Sequence, residues 1–280
     1  MINVGVVGLG LIGGSFAKAY KKAGNRVLAF DKDKSVLDFA VLCGVADGVL
    51  TAESMRECDI ILVAIYPEAA IEFVTENAES FGKNPVVIDC CGTKRKVCDA
   101  CFALAEKHGF TFVGGHPMAG RHTAGFKHSK EDMFVGAPMV IVPPDFNDIE
   151  LLVKIKELLA PAGFGSFSVT DAEKHDEMIA FTSQLAHVVS NAYIKSPTAG
   201  QHEGFSAGSY KDMTRVAWLE PLMWAQLFME NKDFLINEID TLTDNLQKYK
   251  TAMLNGDKTT LIDLLDEGRK LKQKVDGIAL

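Results

Sequence analysis

The feature that most narrows what this chain can fold into is Gly8-Leu9-Gly10-Leu11-Ile12-Gly13, set directly behind the strand-like run Asn3 to Gly8 and opening a helix-period segment, Ser15 to Ala23. A glycine pattern of this kind is common, and its position between a strand and a helix is what makes it specific. Gly8 permits a tight turn, Gly10 lets the backbone approach a pyrophosphate, and Gly13 allows helix and strand to pack closely. The N-terminus of the helix adds free N–H groups and a positive dipole end for the phosphates, with Leu11 and Ile12 in the same turn. Asp31 ends the second strand, where a carboxylate accepts hydrogen bonds from both ribose hydroxyls and repels a 2′-phosphate. A dinucleotide is expected, NAD rather than NADP, with Lys32 and Lys34 softening that preference.

The pattern continues as a βαβ series. Asn3 to Gly8, Arg26 to Phe30, Ile60 to Ile65, Val86 to Asp89, Thr111 to Val113 and Met139 to Val142 read as strands, rich in Val and Ile as parallel strands covered on both faces must be. Between them lie helix-period segments at Lys34 to Cys43, Glu68 to Glu79, Lys94 to Lys107 and Ile149 to Leu159. The fold class is therefore α/β, a Rossmann-type doubly wound, mostly parallel sheet. After Gly163-Phe164-Gly165 the texture turns almost wholly helical, over Asp171 to Lys195, Met213 to Asn255 (interrupted at Pro221) and Lys258 to Val275. We expect a nucleotide-binding domain over 1–170 and an all-helical domain over 171–280. The apolar surface of those helices suggests dimerisation, though it could equally be core.

Composition sets outer bounds. The chain has 280 residues, 48% hydrophobic and 24% charged, and a formal net charge of −8. An acidic molecule repels phosphate polymers and anionic lipid, so general nucleic-acid binding is not expected and an anionic ligand needs a locally basic pocket. No apolar run approaches the ~20 residues of a membrane span. No basic stretch with an apolar segment precedes the first strand, so reduced thiols and a cytoplasmic location are expected. Cys98 and Cys101 have metal or redox spacing. They also share one apolar helix face with Val97, Phe102 and Ala105, so we expect a buried helix and no metal.

Gly114-Gly115-His116-Pro117-Met118-Ala119-Gly120 follows a strand and delivers a histidine to the carboxyl end of the sheet, where doubly wound folds bind ligands. An imidazole there titrates near neutrality and can move a proton. With Gly8 to Ser15, Asp89 to Lys94, His175-Asp176 and Asp212-Met213-Thr214-Arg215, this run resembles prephenate dehydrogenase and its arogenate-using relatives over nearly the whole chain. The resemblance implies a Rossmann domain, a helical dimerisation domain, and oxidative decarboxylation of a cyclohexadienol to a phenol with NAD as the oxidant.

It also implies roles for residues. His116 is the base that takes the ring hydroxyl proton, Arg215 binds a substrate carboxylate, and His187, the last histidine of a family run, binds ligand. Arg121, behind the catalytic loop, adds positive potential for the second carboxylate, whereas His175 is expected to cap or bridge helices. The chain departs from the family where a serine orients the base: that position falls on Gly92, so the orienting hydroxyl is that of Thr93 or is missing. Gln184 and Ala186 replace a family histidine and proline. The expected substrate is prephenate, converted to 4-hydroxyphenylpyruvate in tyrosine biosynthesis. Alternatives are an arogenate dehydrogenase producing tyrosine directly and a non-catalytic dinucleotide-binding sensor. A β-hydroxyacid dehydrogenase, with Lys174 or Lys195 near Asn191, lacks the accompanying glycine-rich pattern.

Overall fold

The computed structural model describes residues 1–120 and 123–278. Arg121, given a substrate role above, lies outside the described residues, as does its neighbour His122. By contacts the chain forms two compact units, Met1–Asn231 and Lys232–Leu280.

In the first unit, eight strands form one sheet in the order β3-β2-β1-β4-β5-β6-β7-β8. They are β1 (Asn3–Val7), β2 (Arg26–Phe30), β3 (Gly48–Val49), β4 (Ile60–Val63), β5 (Val86–Asp89), β6 (Thr111–Pro117), β7 (Pro138–Val142) and β8 (Ser166–Val169). Helices α1 (Leu11–Lys22), α2 (Lys34–Leu42), α3 (Ala52–Met55), α4 (Pro67–Asn77), α5 (Arg95–His108) and α6 (Ile149–Leu159) connect them. The first six strands follow the order of a dinucleotide-binding sheet. Successive residues of β4 serve opposite faces: Ile60 and Leu62 enter one hydrophobic core, Ile61 and Val63 the other. A strand buried on both faces needs continuous apolar side chains, which is why these runs carry no polar alternation.

The structure adds β3 and β8 and extends β6. His116 therefore lies on a strand rather than in a loop behind one. Thr111 to Val113 pair in parallel with β5, whereas Gly114 to Pro117 pair antiparallel with β7, His116 lying opposite Val140. The glycines make this course possible. A Cβ at Gly114 would stand 2.6 Å from the Cys98 Sγ, and one at Gly115 would stand 2.5 Å from the Asp89 carbonyl oxygen.

Beyond the sheet, α7 (Ala172–Ile179) runs through a π-helical turn (Ala180–Leu185) into α8 (Ala186–Tyr193), followed by α9 (Gly208–Thr214) and α10 (Pro221–Glu230). Asp171 caps α7 by accepting from the Lys174 N–H at 2.6 Å, and Glu220 caps α10 with Pro221 in its first turn. The second unit is a hairpin of α11 (Lys232–Leu254) and α12 (Lys258–Val275), reversed at Gly256, whose φ is +66°. The Tyr249 hydroxyl donates to the Leu264 carbonyl at 3.2 Å across it. Among the described residues no helix is long and apolar enough to cross a membrane.

Candidate active site

The glycine loop has the geometry its sequence predicts. Gly8 has φ +86°, and a Cβ there would meet Ile65 at 2.4 Å; a Cβ on Gly13 would stand 1.8 Å from the Gly8 carbonyl oxygen. Gly10 is the opposite case, with nothing within 4 Å of its Cβ position. Turn and packing thus account for the outer two glycines, while the middle one faces open space. Gly10 is the N-cap residue of α1 and has no side chain to satisfy the helix's first N–H groups. Half-buried Leu11 and Ile12 form that first turn. These are the features an anionic diphosphate requires, and they fit a dinucleotide. Asp31 stands beside the loop: one carboxylate oxygen accepts from the Leu9 N–H at 2.6 Å, the other from the Asp33 N–H at 2.9 Å. The same side chain therefore fixes the glycine loop.

His116 is half-buried on β6, its Nδ1 lying 2.9 Å from Nε2 of His175. His175 Nδ1 in turn lies 2.7 Å from Oδ1 of Asp176. Both His175 and Asp176 are buried, at 3% and 1% exposure. Asp176 also receives the start of α5: Oδ1 accepts from the Lys94 N–H at 2.7 Å, and Oδ2 from the Arg95 N–H at 3.0 Å and Nε at 3.3 Å. Burial holds the His116 imidazole well below its ordinary pKa, with its neighbours His175 and Lys94 acting in the same direction. Burial likewise lowers His175, against the pull of Asp176. Burial alone would raise Asp176, but its hydrogen bonds from His175 and from the α5 backbone keep it lower than usual.

Under this array lies a second buried pair, Lys94 and Asp89. Asp89 accepts from the Lys94 ammonium, from the Cys91 N–H at 2.9 Å and from the Gly115 N–H at 3.2 Å. Burial disfavours the Lys94 charge, but Asp89, with Cys91 and Cys98 behind it, outweighs that and holds its pKa above the usual value. Cys98 and Cys101 are fully buried on α5, and burial pushes the Cys101 thiol up to about 12. They serve as core.

The hydroxyl expected to orient the base sits on Thr93, just ahead of α5. It donates to Glu230 Oε2 at 2.7 Å, and the Nδ1 partner of His116 is His175. At Gly92 a Cβ would meet only Leu227 of α10, at 3.4 Å. Gln184, on the π-helical turn, donates to the Leu227 carbonyl at 3.1 Å and accepts from Asn231 Nδ2 at 2.9 Å. Asn231 Nδ2 also donates to the Asp176 carbonyl at 2.8 Å, so one chain of hydrogen bonds joins His116 to Gln184. His187 Nδ1 donates to the Ser183 carbonyl at 2.8 Å, and its ring packs on Trp224 with centroids 3.9 Å apart. Burial lowers the His187 pKa, and the Arg215 guanidinium at the end of α9 lowers it further, which brings these two predicted ligand-binding residues into one electrostatic neighbourhood. Arg215 itself is exposed. Sequence reasoning did not assign His175, Asp176 or the Lys94–Asp89 pair to this site; the adjacent His175-Asp176 at the start of a helix was the available signal.

A family model described as prephenate dehydrogenase, nucleotide-binding domain, matches residues 16–166, and one described as prephenate dehydrogenase, dimerization domain, matches residues 171–267. The chain is 29% identical to a prephenate dehydrogenase of Bacillus subtilis over 285 aligned residues, covering 98% of this chain and 76% of the relative. It is 27% identical to a cyclohexadienyl dehydrogenase of Zymomonas mobilis, covering 96% and 94%. The structure superposes with a TM-score of 0.82 and 25% identity on prephenate dehydrogenase from Aquifex aeolicus in complex with hydroxyphenyl propionate and NAD+, covering 98% of both chains. With both family models matched, the chain belongs to the prephenate dehydrogenase family of oxidoreductases.

Proposed function

We propose that this protein oxidatively decarboxylates prephenate to 4-hydroxyphenylpyruvate, using NAD, in tyrosine biosynthesis. The observation that carries the reading is His116: a half-buried imidazole, kept neutral by burial, on the strand that extends beyond the carboxyl edge of the parallel sheet whose β1 leads into the glycine loop. NAD, when bound, supplies the acceptor for the hydride. Gly8, Gly10, Leu11, Ile12 and Gly13 would hold its diphosphate and Asp31 its ribose.

The chain's own residues do the rest. His116 takes the proton of the ring hydroxyl as the hydride leaves the same ring carbon. The carbon–carboxylate bond then breaks, its electron pair makes the ring aromatic, and carbon dioxide departs. The imidazolium returns its proton to the phenolate oxygen, so no net proton is consumed. A positioned base of this kind is worth about 10²- to 10⁴-fold. Arg215 anchors a substrate carboxylate through its planar fork, with His187 alongside. An acidic chain needs such local cations to hold a dianion.

The domain division we propose is 1–170 and 171–280, with a homodimer formed through the helical part in a cytoplasmic enzyme. Exposed apolar residues such as Leu222, Met229, Leu246 and Leu254 support that surface, as does the family model's description as a dimerization domain. A second reading, turnover of arogenate, draws on the similarity to a cyclohexadienyl dehydrogenase. Initial rates of NADH formation with each substrate separate the two. Faster turnover of prephenate supports the proposal, faster turnover of arogenate replaces it, and turnover of neither overturns both.

A further inference from the structure

We infer that His175 and Asp176 are positioning residues for the base, holding the His116 ring as its Nδ1–H tautomer so that Nε2 presents its lone pair to the substrate. This deepens the proposed function and rests on His116 being its base.

The donors and acceptors leave one assignment. Asp176 is surrounded by donors, the Lys94 and Arg95 N–H groups and Arg95 Nε, and an ionised carboxylate only accepts. The hydrogen between Asp176 and His175 therefore sits on His175 Nδ1. His175 is neutral, since burial disfavours its charge, so its Nε2 carries a lone pair. The contact between His175 Nε2 and His116 Nδ1, 2.9 Å long, then needs its hydrogen on His116. The rings are tilted 59° with centroids 5.1 Å apart, so they meet edge to edge and do not stack.

The usual candidates for this task are absent or engaged. Position 92 is glycine, and the Thr93 hydroxyl is committed to Glu230. Asp176 is locked to the start of α5 by two backbone N–H groups, so the relay is anchored to the nucleotide-binding sheet through the helix that follows β5. When His116 Nε2 accepts the substrate proton, Nδ1–H keeps its bond to His175 and His175 keeps its own to Asp176. Charge is stabilised and no proton travels down the relay, as in a Ser-His-Asp triad.

The test reads the tautomer directly. In the ¹⁵N-labelled full-length protein at neutral pH, long-range ¹⁵N–¹H correlation of the histidine rings should show both His116 and His175 as Nδ1–H tautomers. His175→Leu should lower kcat about 10- to 10²-fold, the scale of a misplaced reacting group, with KM changed less than about twofold. His175→Gln, whose amide oxygen can accept from Nδ1–H, should recover part of that loss. An Nε2–H tautomer at His116 in the unmodified protein overturns the inference, as does wild-type kcat in His175→Leu. Should the leucine variant fail to fold, the tautomer measurement still decides. If the unmodified protein turns over no cyclohexadienol while both rings are Nδ1–H, the dehydrogenase reading fails and the relay geometry stands.

Discussion

Lys94 and Asp89 form an ion pair whose side chains are 0% and 1% exposed, and the same carboxylate accepts the Gly115 N–H one residue before His116. The pair thus supports the strand that carries His116. Removing one member of a buried pair leaves a charge with nothing to balance it, a loss of about 3–5 kcal/mol. Lys94→Met should lower the unfolding free energy by an amount on that scale, and the denaturant midpoint with it. Lys94→Met combined with Asp89→Asn should lose less, because the remaining side chain is neutral and its amide oxygen still accepts a backbone N–H. Chemical denaturation of the two variants checks this.

His116, His175 and His187 all have folded-state pKa values below the ordinary imidazole value, each chiefly from burial. The unfolded chain therefore binds more protons than the folded one between those lowered values and about 6.5. Stability should fall as pH is lowered from about 7 through that window, and should change little above it on their account. The acid limb of kcat/KM, set by protonation of the free enzyme's base, should lie well below 6.5 for the same reason. Calorimetric midpoints and a pH–rate profile test both; an acid limb at or above 6.5 removes His116 as the buried base.

Gly10 and Gly13 should respond differently to the same methyl group. Gly13→Ala sets a Cβ 1.8 Å from a backbone oxygen, so it should destabilise the fold. Gly10→Ala meets nothing within 4 Å, so the thermal midpoint should hold while NAD affinity drops about tenfold or more, roughly 1.4 kcal/mol. Thermal melts with and without NAD, alongside calorimetric titration, distinguish the two.

Arg215→Ala should raise KM about 10- to 10²-fold with kcat nearly unchanged, since hydrogen bonds to charged groups contribute about 1.5–3 kcal/mol. Arg215→Lys should recover only part, because an ammonium lacks the two-pronged donor geometry. Steady-state kinetics with prephenate is the measurement.

The parts of this molecule that were legible from sequence are those encoded locally. Short, mostly apolar runs revealed β1, β2, β4 and β5, and the glycine loop revealed itself through its position between a strand and a helix. β3 has only two residues, and β8 is an edge strand with three of its four residues exposed; neither has an apolar run to announce it. The course of β6 through Gly114-Gly115-His116-Pro117 was hidden because glycine and proline ordinarily mark a loop, and only pairing with β7 makes that segment a strand. His116 and His175 are 59 positions apart, beyond the reach of any periodicity. The partner of Thr93 was hidden for a related reason: its place next to Gly92 said nothing about Glu230, 137 positions away, which accepts from its hydroxyl.

The reach of Asp176 to the amides that begin α5 bears on how such a protein could be recombined. Residues 16–166 and 171–267 are matched by separate family models, which invites a chimera joined near position 170. Yet Asp176 and Asn231 belong to the downstream segment and grip Lys94 and Arg95 in the upstream one. A graft from a cousin would have to bring matching partners for both sides of that clasp, or else leave the His116–His175 pair with no fixed bearing.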